Sequence, residues 1–171
     1  MATVAYAELH CISNFSFLRG ASHPGELVLQ AAKLGYSAIA ITDECSLAGI
    51  VKAHVAAKEC RIQLIVGSEF VLEEGLRLVL LAPDRDAYAQ LSTLITVARR
   101  RSVKGEYSLA LKDLKRGAGE QLAIWLPGYQ EPLNDHYSED LKLLFNNRLW
   151  IGFNNLINDS SAKRYRYFKA L

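Results

Sequence analysis

The sequence has 171 residues, of which 50% are hydrophobic and 22% are charged, with a formal net charge of +2 at pH 7. This composition is typical of a soluble globular chain that can bury a core, and so balanced a charge does not by itself indicate a polyanionic partner. Three cysteines without a C-x-x-C pair, no signal-peptide pattern and no apolar run of roughly 18–20 residues argue against a disulfide framework and a membrane span, and indicate a cytoplasmic protein.

Strand-like and helix-like patterns alternate along the chain. Short apolar runs predict six strands, at residues 4–9, 37–42, 63–66, 76–82, 121–126 and 148–153. Apolar residues at three- and four-residue spacing predict helices at residues 24–34, 47–60, 84–100, 109–115, 139–145 and 161–171. Runs that are apolar on successive residues are expected in strands covered on both faces, so a largely parallel sheet is predicted. Strand followed by helix, repeated in this way, predicts an α/β fold that forms one domain over residues 1–171.

Several polar residues are predicted to mark the ends of the helices. Ser22 is the predicted N-cap of the first helix, and Asp84 is placed to cap the helix at 84–100. Glu44 and Ser46 are two candidates for the N-terminus of the helix at 47–60, where negative charge and a hydroxyl acceptor are both favourable. The segment 126–140, with two prolines and a glycine, is predicted to be the least ordered part of the chain.

Polar side chains follow three of the predicted strands. His10 follows the first, Asp43 and Glu44 follow the second, and Glu69 follows the third. In parallel α/β folds, functional side chains collect at the carboxyl ends of the strands. One imidazole with several carboxylates suits a divalent ion such as Mg²⁺, Mn²⁺ or Zn²⁺. The same residues could instead serve turns and caps, and spacing alone leaves both alternatives open.

Longer stretches of the sequence carry a family resemblance. The segments "ELHCIS", "AITDECSLAGI" and "LIVGSEF" resemble, in order, the first three motifs of the PHP (polymerase and histidinol phosphatase) family. The block "NFSFLRGASHPGELVLQAAKLGYSAIAITDECSLAGIVKAH" is similar to the N-terminus of bacterial C-family DNA polymerase α subunits, above all to the error-prone, damage-tolerant branch. The resemblance implies a distorted (β/α)7-like barrel, incomplete in this chain, at the front of a much longer polymerase that acts in replication, repair and translesion synthesis.

The resemblance also implies a metal site, which this sequence matches only in part. In metal-binding relatives, a cluster of three ions at the strand ends hydrolyses phosphoesters, and in some polymerases it trims a 3′ end. The family motif acid-Leu-His-x-His is matched by His10, but its second histidine position holds Ile12. Asp43 matches the second motif, where Glu44 replaces the usual histidine.

The remaining motifs follow the same pattern of partial agreement. The glutamate of the third motif is present as Glu69, whereas Arg77 stands where the next histidine is expected. The family's final Asp-x-His pair has no counterpart in the sequence. The candidate metal ligands are therefore His10, Asp43, Glu44 and Glu69, and a cluster that lacks so many ligands is expected to bind Mn, Zn or Mg weakly or not at all.

Three functions follow as hypotheses. The first is a mainly structural PHP-like domain whose partners are the rest of the polymerase chain, DNA through the full-length protein, and other damage-tolerance proteins. The second is an active metal-dependent phosphoesterase or 3′–5′ exonuclease. The third is a nucleic-acid-binding module that uses two basic stretches, residues 99–101 and 163–169, which are otherwise expected to complement a helix dipole and to form an amphipathic helix. The carboxylates of nucleotidyl transfer are expected in a palm domain beyond this chain.

Overall fold

The computed structural model describes residues 5–117, 119–127, 136–153 and 165. The strands are β1 Ala7–Cys11, β2 Ala38–Ile41, β3 Gln63–Val71, β4 Arg77–Ala82, β5 Leu122–Trp125 and β6 Leu149–Ile151. The helices are α1 Pro24–Lys33, α2 Ile50–Cys60, α3 Arg85–Arg100, α4 Leu111–Gly117 and α5 Ser138–Phe145, with a 3₁₀ turn at Asn146–Arg148. All six predicted strands are confirmed, and so are five predicted helices. Within the predicted helix at 161–171 only Tyr165 is described, and it is helical, while most of the segment predicted to be least ordered lies outside the described residues.

The six strands form one sheet in sequence order, but its strands do not all run in the same direction. β1, β2 and β3 are parallel to one another, and β5 is parallel to β6, whereas β4 is antiparallel to both β3 and β5. The prediction of a largely parallel sheet is therefore wrong at β4. Only residues 72–76 separate β3 from β4, and so short a connection makes a hairpin because a parallel crossover needs a dozen residues or more. As a result, β4 begins at the edge where β1, β2 and β3 end.

The sheet is covered on its outer face and curled around its inner face. On the outer face, α1 and α2 pack on β2, while α3, α4 and α5 pack on β4 and β5. The inner face carries a smaller apolar cluster centred on Ala40, Val79 and Leu81. Residues of both edge strands, β1 and β6, line one cavity of about 740 Å³ on that inner face. The sheet is thus half of a barrel, which confirms the prediction of an incomplete barrel.

One predicted helix cap is confirmed, whereas other helices begin at residues that were not predicted. Asp84 caps α3, since its Oδ1 accepts a hydrogen bond from the backbone N of Ala87 at 2.8 Å. The N-cap of α1 is His23 rather than Ser22, and the His23 backbone N donates to the Glu26 carboxylate at 2.8 Å. Across the described ranges, no helix is long and apolar enough to cross a bilayer.

The start of α2 corrects a further prediction. The helix begins at Ile50 after Gly49, three residues later than predicted, and has no side-chain cap. Neither Glu44 nor Ser46 reaches its N-terminus. Ser46 instead accepts a hydrogen bond from the backbone of Ala48 within the preceding turn, at 3.2 Å. The Glu44 side chain makes other contacts, which are described with the candidate site.

Candidate functional site

The ends of β1, β2 and β3 are held in register by backbone hydrogen bonds that continue beyond the strands. The Thr42 N donates to the Cys11 O at 2.8 Å, and the Cys45 N donates to the Glu69 O at 2.8 Å. Glu44 and Glu69 consequently form an isolated parallel bridge. This pairing brings the strand-end side chains of the three strands to one edge of the sheet, together with the beginning of β4.

Glu69 is the centre of this edge. Its side chain is fully buried, at 0% exposure, and its Oε2 accepts a hydrogen bond from His10 Nε2 at 2.6 Å. Its Oε1 accepts one from Arg19 Nη1 at 2.8 Å, and Arg77 Nε lies 3.6 Å from the same oxygen. Burial opposes ionisation of Glu69, but the hydrogen bonds from His10 and Arg19 outweigh it and lower the pKa of this carboxyl group. Glu69 is thus a buried carboxylate stabilised by cationic and imidazole neighbours.

Arg19 joins the two glutamates through one nitrogen. Its Nη1 lies 2.6 Å from Glu44 Oε2 and 2.8 Å from Glu69 Oε1, and its side chain is 31% exposed. Burial opposes the charged guanidinium, yet hydrogen bonds to Glu69 and Glu44 raise the pKa of Arg19 above its ordinary value. The other oxygen of Glu44, Oε1, accepts a hydrogen bond from the Tyr107 hydroxyl at 2.8 Å. We call Glu44, Glu69, His10, Arg19 and Arg77 the strand-end cluster.

Asp43 has a separate role. Its side chain is 1% exposed, and both of its oxygens accept hydrogen bonds from the loop between β1 and α1. Oδ1 accepts from the backbone N of Ser13 at 2.8 Å and from Ser16 Oγ at 2.7 Å, and Oδ2 accepts from Ser13 Oγ at 2.7 Å. Although it was predicted as a metal ligand beside Glu44 and Glu69, Asp43 serves as a buried acceptor that anchors this loop.

Arg99 supports the cluster from α3. Its Nε donates to the Cys45 O at 3.2 Å and its Nη2 donates to the Glu44 O at 3.3 Å. Its guanidinium also lies 5.2 Å from the Tyr107 ring centroid. The prediction that Arg99 only complements the helix dipole is incomplete, because its side chain holds the turn that carries Glu44. Arg101 pairs with Asp113 at 2.7 Å, so neither arginine is a freely solvated charge.

The donor set of this edge does not fit the metal cluster that the resemblance implies. In the ranges that the structure covers, no three His, Cys, Asp or Glu side chains are grouped to hold a metal ion. The oxygens of Glu44 and Glu69 already accept hydrogen bonds from Arg19, Tyr107 and His10. Because a guanidinium contacts both carboxylates, a divalent cation between them would meet a fixed positive charge at van der Waals distance.

The depressed pKa of Glu69 makes the stability of the protein depend on pH. Its pKa is lower in the folded state than the ordinary value of about 4.3. Its contribution is therefore complete above that value and is lost as the pH falls through the folded-state pKa. We expect the wild type to exceed Glu69→Gln by about 2 kcal/mol in free energy of unfolding at neutral pH, and this difference to shrink in acid.

Urea unfolding of both proteins between pH 7 and pH 2 measures this difference. The matched control is Glu59→Gln, which changes an exposed glutamate on α2 and should leave the unfolding midpoint unchanged at every pH. A gap between the wild type and Glu69→Gln that stays constant down to the lowest pH would contradict the assignment of a depressed pKa to this group.

A curled half-barrel with acidic and imidazole groups at its strand ends is the architecture of a PHP domain. The PHP domain family matches residues 8–161, and the chain belongs to this family. Its relatives include the error-prone DNA polymerase of Teredinibacter turnerae, 50% identical over 168 residues, which cover 98% of this chain and 16% of the relative. The error-prone DNA polymerase of Pseudomonas aeruginosa is 56% identical over 151 residues, covering 86% of this chain and 14% of the relative. The chain is thus homologous to the N-terminal region of error-prone DNA polymerases and spans about 16% of their length.

Solved structures show the same fold at low sequence identity. A protein from Bifidobacterium adolescentis described as a metal-dependent phosphoesterase matches with a TM-score of 0.69 and 17% identity, covering 98% of this chain and 84% of that one. An amidohydrolase from Chromobacterium violaceum, solved with bound sulfate and no metal, matches with a TM-score of 0.57 and 19% identity, covering 84% of this chain and 74% of that one. At these identities the likeness is one of fold.

Proposed function

We propose that this chain is the N-terminal PHP domain of an error-prone, C-family DNA polymerase that acts in damage-tolerant synthesis in the cytoplasm, and that its strand-end cluster is architectural. The rest of the polypeptide carries nucleotidyl transfer and contacts DNA and other damage-tolerance proteins. The observation that carries the architectural role is Arg19 Nη1, within 2.8 Å of oxygens of both Glu44 and Glu69. An internal cation there replaces the positive charge that a metal ion would bring.

The substitutions around Arg19 favour the same proposal. Ile12 stands at a histidine position of the family motif and has no atom that can coordinate an ion. Arg77 places a second guanidinium beside Glu69, at 3.6 Å, where a histidine ligand is expected. Each change removes a ligand or adds a positive charge, and both effects lower the affinity of the site for divalent ions. The cluster still connects the strand ends through hydrogen bonds and ion pairs. Because its buried charges are paired, it leaves no uncompensated charge in the interior.

A phosphoesterase or 3′–5′ exonuclease remains the second candidate. It is favoured by His10 and Glu69, which meet at the strand ends as the family's ligands do, and by the fold shared with the Bifidobacterium adolescentis protein. A working site would need an exchangeable position on a metal ion for water or substrate. Here the carboxylates of Glu44 and Glu69 are already hydrogen-bonded to side chains, which makes this function the weaker proposal.

Metal analysis of the purified protein separates the two candidates. We expect substoichiometric Mn, Zn, Fe and Mg by plasma mass spectrometry after purification without chelators. We also expect no turnover of phosphate monoesters, phosphodiesters or 3′-ended DNA with Mn²⁺, Zn²⁺ or Mg²⁺ added, beyond the background of the His10→Ala variant prepared in parallel. Stoichiometric bound metal, together with turnover that His10→Ala abolishes, would replace the architectural proposal by the phosphoesterase.

A further inference from the structure

The loop between β1 and α1 exposes two large apolar side chains next to each other. Phe17 is 85% exposed and Leu18 is 90% exposed, more than any other large apolar side chain in the part of the chain that the structure describes. Leu18 has a backbone φ of +60°, which is uncommon for a leucine. We call these two residues the Phe17–Leu18 tip. A pair of exposed apolar side chains on strained backbone is costly in water unless another surface covers it.

The loop that carries the tip is fixed on both sides by the residues already described. On one side, Ser13 and Ser16 bond to the buried Asp43. On the other side, Arg19 bonds to Glu44 and Glu69. The backbone of the turn closes on itself, since the N atoms of Arg19 and Gly20 donate to the Ser16 O at 3.0 and 3.1 Å. The chain on both sides of the tip is thus anchored, and such anchoring reduces the entropy lost when the tip binds.

Close packing at the base of the loop leaves no room for a side chain. A Cβ on Gly20 would lie 2.1 Å from the Ser13 O, so the two sides of the loop approach each other as only glycine allows. Asn14 N also bonds to the Ser22 O at 2.9 Å, closing the base a second time. The strand-end cluster and Asp43 therefore hold both sides of the loop that carries the tip.

Phe15, two residues before the tip, lies against the start of α2, where apolar side chains and a lysine are exposed. Phe15 lies against Gly49, where a Cβ would be 3.2 Å from its ring, and Lys52 Nζ lies 5.5 Å from its ring centroid. Val51, next to Lys52 at the N-terminus of α2, is 74% exposed. Arg19, adjacent to Leu18 in sequence, has a side chain that is 31% exposed and is paired with Glu44 and Glu69. A complementary surface would offer an apolar pocket with acidic side chains at its edge.

We propose that the Phe17–Leu18 tip docks into an apolar, acid-rimmed pocket on a later domain of the same polypeptide. This inference rests on the proposed function, in which the chain is the first part of a polymerase. Relatives about half identical to this chain extend far beyond the matched region, which is 16% of their length. A segment of the same polypeptide meets the tip at a high effective concentration, typically in the millimolar range, which favours it over a separate protein of equal affinity.

Photo-crosslinking in the full-length protein tests the docking. One variant carries p-benzoylphenylalanine at position 18 and a second variant carries it at position 17. The products of irradiation are mapped by mass spectrometry. The matched control carries the same group at Leu143, which is 83% exposed on α5. We expect links within one polypeptide from the tip to a segment beyond residue 171, several-fold above the control. Links between two copies, links to another protein, or a yield at the control level would each overturn the proposal.

A double substitution gives a second readout. Because both side chains are exposed, Phe17→Ser with Leu18→Ser should leave the fold of the PHP domain intact, and the loss should be confined to domain docking. We expect faster proteolysis between this domain and the rest of the full-length protein, with no such change in Leu143→Ser. Equal proteolysis in both variants would overturn the proposal. A reading frame that ended near residue 171 would contradict the proposed function itself. A longer polypeptide that binds substoichiometric metal but gives no crosslinks from the tip would contradict only the docking.

Discussion

Arg19→Met is expected to lower the free energy of unfolding by about 3 kcal/mol, because breaking a buried charge pair leaves its partner uncompensated. Methionine keeps the apolar stem of the side chain and removes the charge. Glu69, fully buried, then loses one of its two short hydrogen bonds, and the Glu44 carboxylate loses the only ion pair that it has in the described structure. The pKa of Glu69 should rise as a result, so the loss should be smaller in acid than at neutral pH. Urea unfolding at several pH values measures both effects.

Two further substitutions test whether the stability lost in Arg19→Met comes from the charge of Arg19. Arg100→Met removes an exposed arginine of α3 and should cost little, as is usual for surface charges. Arg19→Lys keeps the positive charge near Glu44 and Glu69 and should lose less than Arg19→Met. If Arg19→Met lost no more than Arg100→Met, Arg19 would not be the internal cation of the cluster.

The same variant should reveal a latent affinity for metal ions. Without the guanidinium, Glu44 and Glu69 face each other across a site that a divalent cation could neutralise. Added Mn²⁺ should therefore raise the unfolding midpoint of Arg19→Met, since a ligand that binds only the folded state stabilises it. It should leave the wild type unchanged. An equal response of the two proteins to Mn²⁺ would mean that Arg19 does not exclude the ion.

The elements of the fold could be read from the sequence, but one strand direction could not. Apolar runs bounded by polar and glycine residues mark strands whichever way they run, and β4 is as apolar as its neighbours. The length of the connection between β3 and β4 indicates the direction of β4. Five residues, with Gly75 at a φ of +80°, are enough for a hairpin but too few for the crossover that a parallel strand would need. This direction matters for the site, because it places Arg77 beside Glu69.

The site was predictable where motifs specify it and not where distant side chains complete it. Family motifs located His10 and Glu69, which the structure brings within 2.6 Å of each other. Arg19 and Tyr107 were missed, since they reach their glutamates across 50 and 63 residues of sequence. No local pattern encodes such contacts. They depend on where the loops before α1 and after α3 fold back onto the sheet.

Asp43 was predicted as a metal ligand from its motif, and its hydrogen bonds to the loop were not predicted. A carboxylate at a motif position suggested a metal ligand, whereas two hydroxyls three residues apart, at Ser13 and Ser16, are its actual donors. These serines lie 30 and 27 residues from Asp43 in sequence, so no local pattern predicts the contact.

Asp43→Ala is accordingly expected to destabilise the protein by about 3 kcal/mol, because several buried donors to a charged group lose their acceptor at once. The Ser13 backbone N and the Ser13 and Ser16 hydroxyls are the donors concerned. The loss should appear in urea unfolding. It should also appear as faster hydrogen exchange of the loop amides, at residues 13–20, than of the β2 amides. Asp86→Ala, at an exposed aspartate of α3, is the control and should shift neither measurement by a comparable amount.

A double-mutant cycle shows whether the effect acts through the loop. Ser16 Oγ donates to Asp43 and accepts from the Glu44 backbone N at 2.9 Å, so it connects the anchor to the strand-end cluster. Ser16→Ala and Asp43→Ala should therefore be non-additive, with the double variant worse than Asp43→Ala only by the lost acceptor for the Glu44 N. Additive losses would mean that the two residues stabilise the protein independently. Non-additivity would support Asp43 as the buried acceptor around which the loop carrying Phe17 and Leu18 is folded.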